Sequence, residues 1–162
     1  MWVSFVIGKI VIVGIGNILC RDEGVGIHVV EELKKRDLPD YVELYDGGTG
    51  GLDVLEILER FDKAIIVDAV RGGKEPGEIY HVRLDEIDTK DGESEMVSLH
   101  ELDLIAAKKI GEKAYTLPKD IILIGIEPES VELGMNLTVT IREAIPIVIQ
   151  HILETIDQEL GD

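Results

Sequence analysis

The sequence predicts a single α/β domain spanning residues 1–162, built on a mixed, mostly parallel sheet. Three observations predict it. Apolar runs such as Lys9-Ile-Val-Ile-Val-Gly-Ile15 and Asp120-Ile-Ile-Leu-Ile-Gly-Ile126 are continuous rather than alternating, the pattern of strands covered on both faces. Stretches with helical apolar spacing separate the first three such runs, which is the alternation of strand and helix that parallel sheets require. One later run comes too soon after its predecessor for a crossover helix, so it must reverse direction.

In chain order, Lys9 to Ile15 is the first strand. A helix comes next, from Gly24 to Arg36, with Val25, Val29, Val30 and Leu33 on one face. Tyr41 to Tyr45 is a short second strand, and the turn Asp46-Gly-Gly-Thr-Gly-Gly51 leads into a helix over Leu52 to Arg60. Lys63-Ala-Ile-Ile-Val-Asp68 is the third strand. Gly77 to Leu84 comes after a loop containing Arg71-Gly-Gly-Lys-Glu-Pro-Gly77, and is the strand expected to run antiparallel. Residues 85–97 are acidic and polar and read as a loop. A helix is expected from Ser98, where Ser98 and Glu101 have capping-box spacing, to about Gly111. Asp120 to Ile126 is the last strand, and after the Glu127-Pro128 turn a final helix runs from Thr138 to Leu160.

Composition limits function. The chain has 16 Lys plus Arg against 33 Asp plus Glu, a formal net charge of −17. Sixteen bases dispersed among these acids assemble no electropositive footprint, so nucleic acid is not an expected partner. There is no run of about 18 apolar residues, so no membrane span is expected. The N-terminal stretch lacks the basic region and cleavage site of a signal peptide. Cys20 is the single cysteine; it cannot form an internal disulfide or a multi-thiolate zinc site, and it fits a reducing compartment, with cytoplasm as the expected location.

Several familiar chemistries are absent. Gly14-Ile-Gly16 after the first strand suggests a dinucleotide loop, but Leu19 stands where the third glycine belongs, and the Gly24-Val-Gly26 segment fails in the same way. No Gly-Lys-Ser/Thr phosphate loop occurs either, so no nucleotide cofactor is expected. His100-Glu101 lacks the second histidine of a zincin helix, because position 104 is Leu.

What remains is a set of polar residues at one edge of the sheet. Strand C-termini of a parallel sheet share one rim, where ligands bind. Asp22 and Glu23 come after the first strand, Asp68 ends the third, and His100 opens the helix after the polar loop. Two carboxylates and an imidazole from separate segments can coordinate a borderline metal such as nickel or zinc while leaving positions open. Each has a simpler explanation. Acids in a helix's first turn favour its dipole, so Asp22 and Glu23 can be caps. Asp68 resists that account, because a lone charge at the end of a buried strand is costly. His28, His81 and His151 read as structural or solvated, Cys20 as a small packed residue, and the glycines at 47–51 as a turn device.

Taken together, Gly14-Ile-Gly-Asn-Ile-Leu-Cys-Arg-Asp-Glu-Gly-Val-Gly26, Asp46-Gly-Gly-Thr49, Val67-Asp-Ala69, Pro76-Gly-Glu78, His100 and Gly125-Ile-Glu-Pro128 resemble the hydrogenase maturation endopeptidases, in order from about residue 9 to residue 157. The resemblance implies a three-layer α/β/α fold around a five-stranded mixed sheet with one antiparallel strand. It implies that Glu23, Asp68 and His100 are both the catalytic and the metal-contacting positions. It further implies that nickel arrives already bound in the substrate, the precursor of a nickel-iron hydrogenase large subunit, and that the enzyme removes a C-terminal extension from it; the chain is expected to be a monomer. A metal held by the three residues can lower the pKa of a water; alternatively Asp68 acts as general base while the metal orients the substrate.

Two other functions fit parts of the pattern. A phospho-receiver also places acids after strand one and an Asp after strand three, but it needs a Lys after the last strand, where this chain has Glu127. A non-catalytic metal or chaperone-binding module would keep the fold and the metal site without cleaving anything.

Overall fold

The computed structural model describes residues 8–84 and 114–160. The polar loop expected at 85–97, the helix expected from Ser98 and the candidate residue His100 lie outside these residues. Five strands form one sheet: β1 (Ile10–Gly14), β2 (Val42–Asp46), β3 (Lys63–Ala69), β4 (Ile79–Arg83) and β5 (Asp120–Ile126), in the order β2-β1-β3-β5-β4. β1 pairs in parallel with β2 and β3, and β3 with β5, while β4 pairs antiparallel with β5. The short connection read in the sequence therefore does reverse the chain.

Side chains alternate across each strand, and here both faces are buried. Ile10, Ile12, Ile65, Val67, Ile122 and Ile124 belong to one core, against α1 (Val25–Leu33) and α3 (Val139–Thr155). Their neighbours Val11, Val13, Ala64, Ile66, Ile121 and Leu123 belong to the other, against Val54, Leu55 and Leu58 of α2 (Leu52–Leu58). This double covering explains why the strands are continuous apolar runs. It also makes the domain three layers, with α1 and α3 on one face and α2 on the other. In α3 the buried positions Ile141, Ala144, Ile145, Val148, Ile149 and Ile152 trace one helical face; a π-type turn, Ile156–Leu160, continues it.

The two helices expected at 24–36 and 52–60 end earlier, at Leu33 and Leu58. In each, the last residue is the last buried apolar one, and the residues just after it are exposed. Lys34 and Lys35 pair with Glu31 and Glu32 on the surface, each at 2.7 Å, contacts that add little stability.

The glycines that mimic a dinucleotide loop do something else. A Cβ on Gly26 would collide with the backbone oxygens of Val67 and Ile15, and one on Gly14 with the carbonyl of Gly26. Helix α1 therefore starts in direct backbone contact with β1 and β3. Gly16, at φ +153, leaves no room beside the Glu23 carbonyl. These positions press the loop after β1 onto the end of the sheet, which is where Glu23 must be to stand beside β3.

Gly26→Ala should therefore be destabilised by about 1–3 kcal/mol, the usual range for overpacking, because the colliding atoms are backbone and cannot rotate away. Chemical denaturation measures this; an unchanged midpoint would mean that α1 can lift from the sheet without cost.

Candidate active site

The C-terminal ends of β1, β3 and β5 form one rim. β3 extends past β1: Gly14 pairs with Val67, while Asp68 and Ala69 pair with Gly125 and Ile126 of β5. Asp68 continues the row of Ala64 and Ile66 and is only 3% exposed, and its Oδ1 accepts a hydrogen bond from the Ala69 amide at 2.8 Å. Across the ladder stands Gly125, which contributes no side chain beside the carboxylate.

The loop after β1 forms a short 3-10 turn, Arg21–Gly24, that packs against β3. Glu23 is half-buried in this turn. The structure thus brings Glu23 and Asp68, expected from the sequence, to the same rim. His100, the third expected member, lies outside the described residues. Among the described residues no three His, Cys, Asp or Glu side chains gather as a metal site.

Asp22 behaves differently from its neighbour. It is fully buried. Its Oδ2 accepts from the amides of Glu129 and Ser130, both at 3.0 Å, and from the Thr138 hydroxyl at 2.8 Å; its Oδ1 accepts from the Thr138 amide at 2.8 Å. Thr138 is the residue that caps α3. Asp22 is therefore a cap, as its position suggests, but for the last helix rather than the one it precedes. Arg21 sustains the turn in the left-handed region at φ 47, held by its amide to the Gly134 carbonyl at 2.8 Å and its Nε to the Asn136 carbonyl at 3.3 Å.

Cys20 is half-exposed beside Glu23. Its thiol is pushed above the ordinary value by desolvation first, then by the charge of Glu23 and a hydrogen bond to it. A thiol kept protonated is a poor nucleophile and a poor ligand, so the acid next to it argues against a chemical role for Cys20.

In the sequence Glu127 is an acid where a receiver needs a lysine and part of the motif Gly125-Ile-Glu-Pro128; the structure gives it work. It is 7% exposed and accepts from the amides of Gly72 and Gly73 at 2.9 and 3.1 Å and from the Tyr80 hydroxyl at 3.0 Å. Successive amides of this kind make an anion-binding concavity, and here the anion is the protein's own. Burial raises the Tyr80 phenol above its ordinary value; a hydrogen bond from the Lys74 amide opposes the shift and Glu127 adds to it. The loop between β3 and β4 is in this way tied to the end of β5. The signals available in the sequence are the pair Gly72-Gly73 and a lone Tyr in a short strand, neither of which names a partner. Of the remaining histidines, His81 on β4 and His151 on α3 face each other with ring nitrogens 2.9 Å apart.

Comparison with known proteins gives a consistent result. The profile of the hydrogenase maturation protease family matches residues 27–155. The hydrogenase expression/formation protein HupD of Bradyrhizobium diazoefficiens is 40% identical, over 85% of this chain and 72% of its own. The hydrogenase 2 maturation protease of Escherichia coli strain K12 is 35% identical, over 90% of this chain and 88% of its own. The structure of the Escherichia coli hydrogenase maturating endopeptidase HybD superposes with a TM-score of 0.79 at 34% identity, covering 93% of each chain.

Asp22→Ala should cost about 3 kcal/mol or more, because it strands several buried donors at once. Urea unfolding tests this. A loss below about 1 kcal/mol would mean that the loop at 129–138 holds α3 without Asp22.

Proposed function

This chain belongs to the hydrogenase maturation protease family, and from that premise we propose that it is an endopeptidase that removes a C-terminal extension from the nickel-loaded precursor of a nickel-iron hydrogenase large subunit. The observation that carries the proposal is the pair of carboxylates, Glu23 and Asp68, delivered by separate segments to one rim where the strand ends leave a ligand site. The fold supports it: five strands in mixed order with one antiparallel edge match the family's HybD structure over nearly the whole chain. A receiver finds no support at Glu127, whose carboxylate is taken up by Gly72, Gly73 and Tyr80 where that chemistry needs a lysine.

In this reading nickel is part of the substrate. Glu23, Asp68 and His100 are the residues that meet it, two oxygen donors and one nitrogen donor, a set that suits a borderline cation. Asp68 is the general base. Its burial keeps water away except where the substrate delivers it, and the Ala69 amide orients its carboxylate before proton transfer. Glu23 stands on the turn that Asp22 and the glycines hold rigid, so its position relative to β3 is set before substrate binds. In the described residues no helix is long and apolar enough to cross a membrane. A large-subunit precursor in the cytoplasm is the partner this proposal names.

Incubation with nickel-loaded precursor should yield a shorter chain by mass spectrometry, while metal-free precursor stays intact. Equal cleavage of both would remove the metal-reading step, and binding without any cleavage would leave a chaperone-like module. Asp68→Asn and His100→Ala should each lower processing by orders of magnitude, since an amide is a poor base and alanine no ligand. Asp68→Asn should hold or gain up to about 1–2 kcal/mol in stability, as when a site is kept at a cost to the fold, because its amide oxygen can still accept from Ala69. Strong destabilisation with cleavage intact would make Asp68 a structural anchor instead.

A further inference from the structure

Among the described residues seven large hydrophobic side chains are exposed, and five of them, Ile18, Leu19, Leu133, Met135 and Val139, lie on two segments that meet at Asp22. The segments are joined by a parallel bridge between Cys20 and Gly134, in which the Gly134 amide donates to the Leu19 carbonyl and the Arg21 amide to the Gly134 carbonyl, both at 2.8 Å. Leu19 and Leu133 each stand one residue before that bridge, and they are 54% and 88% exposed. Met135, one residue after it on the second segment, is 66% exposed, and Val139, next to the Asp22-bonded Thr138, is 63% exposed. Single exposed apolar residues are ordinary; a cluster on a braced pair of loops marks an interaction surface.

We infer that this ridge is the docking surface for the segment of the precursor that carries the scissile bond, and that this segment is apolar with a cationic residue beside it. The inference rests on the endopeptidase reading and adds to it the feature of substrate that the enzyme grips.

Three observations choose this occupant. The ridge is continuous with the rim: Cys20 sits between Leu19 and the 3-10 turn and is hydrogen-bonded to Glu23. A peptide lying across Leu19 and Leu133 is thus led to the carboxylates. The charge along the second segment has one sign. From Glu127 to Ile141 the chain carries Glu127, Glu129 and Glu132 and no Lys or Arg, and Glu129 and Glu132 are exposed. Arg21, on the first segment, turns its Nε to the Asn136 carbonyl. A second copy of a chain with net charge −17 would bring like charges together here, and an anionic lipid surface would be repelled as well, whereas a basic segment is attracted. Finally, the loops are held in place before any partner arrives, by the four bonds to Asp22 and by the Arg21 contacts, so little ordering cost is left for binding.

The test is steady-state cleavage of nickel-loaded full-length precursor by the wild-type protein, by the double variant Leu133→Ser with Met135→Ser, and by Glu132→Lys. All three substituted side chains are exposed, so melting temperatures should match wild type. The expected result is a KM raised about tenfold in the double variant with kcat within about twofold, the signature of lost binding shared by ground and transition states. Glu132→Lys should raise KM at low salt and lose much of that penalty at high salt, where charge is screened. Unchanged KM in both variants, with the wild type active, would overturn the docking surface and leave the endopeptidase reading standing. A wild type that cleaves nothing would overturn both. Wild-type dimers in light scattering that the double variant abolishes would assign the ridge to a second copy and overturn the inference.

Discussion

Asp22 joins two parts of the chain that are 116 residues apart in sequence. Its carboxylate stands where three demands meet: the loop leaving β1 needs a fixed end, the loop leaving β5 has amides at 129 and 130 with no helix or strand to pair them, and α3 begins with an amide and a hydroxyl at Thr138 that need an acceptor. One carboxylate with two oxygens can satisfy all four donors, because an ionised acid has about four acceptor sites and nothing to donate. Charge-assisted bonds of this type are short and strong, and the burial of the charge is tolerable only while all of them are made. The turn that carries Glu23 thereby inherits a rigid support from the loop after β5.

A second support is steric. Gly14, Gly16 and Gly26 let backbone meet backbone between the end of β1, the turn and the start of α1. Close packing of this kind has no slack: a methyl group at Gly26 would have to push a carbonyl, not a rotatable side chain. The 3-10 turn is thus clamped between a hydrogen-bonded acid and a set of glycine contacts. Arg21 at φ 47 is the visible strain of that arrangement, a conformation that an L residue holds only when its surroundings over-determine it.

The sheet is legible in the sequence because its cause is local. β5 coincides with the apolar run Asp120 to Ile126, and the reversal into β4 is dictated by the length of one connection. The rim positions of Glu23 and Asp68 are legible for the same reason, since a strand end locates a residue without any knowledge of its contacts. What Asp22 does is not legible. Its donors lie at 129, 130 and 138, and no spacing along the chain links them to position 22; the simplest rule, an acid at a helix start, yields the right kind of role at the wrong helix. Glu127 is obscured similarly, because its partners Gly72, Gly73 and Tyr80 come from a turn and a neighbouring strand. The exposed ridge is invisible along the chain because Leu133 and Met135 are apolar residues in a loop, and sequence alone does not tell an exposed leucine from a buried one.

Asp22, Glu23, Asp68 and Glu127 all stand at the loops and strand ends of this rim, and the structure divides their labour by what each carboxylate is bonded to. Asp22 and Glu127 take donors from segments far along the chain, the first from 129, 130 and 138 and the second from 72, 73 and 80. An anion that holds distant segments together cannot change partner during a reaction without releasing them, so its work is to lock a loop. Asp68 accepts from the amide of its own neighbour, Ala69, a bond that orients the carboxylate. Glu23 is half-buried, with its charge felt by the thiol of Cys20. Engagement of either acid with an incoming group would leave the bonds at Asp22 and Glu127 intact. The distinction does not depend on residue type, since an Asp and a Glu fall on each side of it. It depends on where the loops from β3 and β5 come to rest, because that decides which carboxylate receives the amide hydrogens of another segment. Chemically identical groups on one rim can therefore take donors of quite different origin, from distant segments at Asp22 and from the adjacent residue at Asp68.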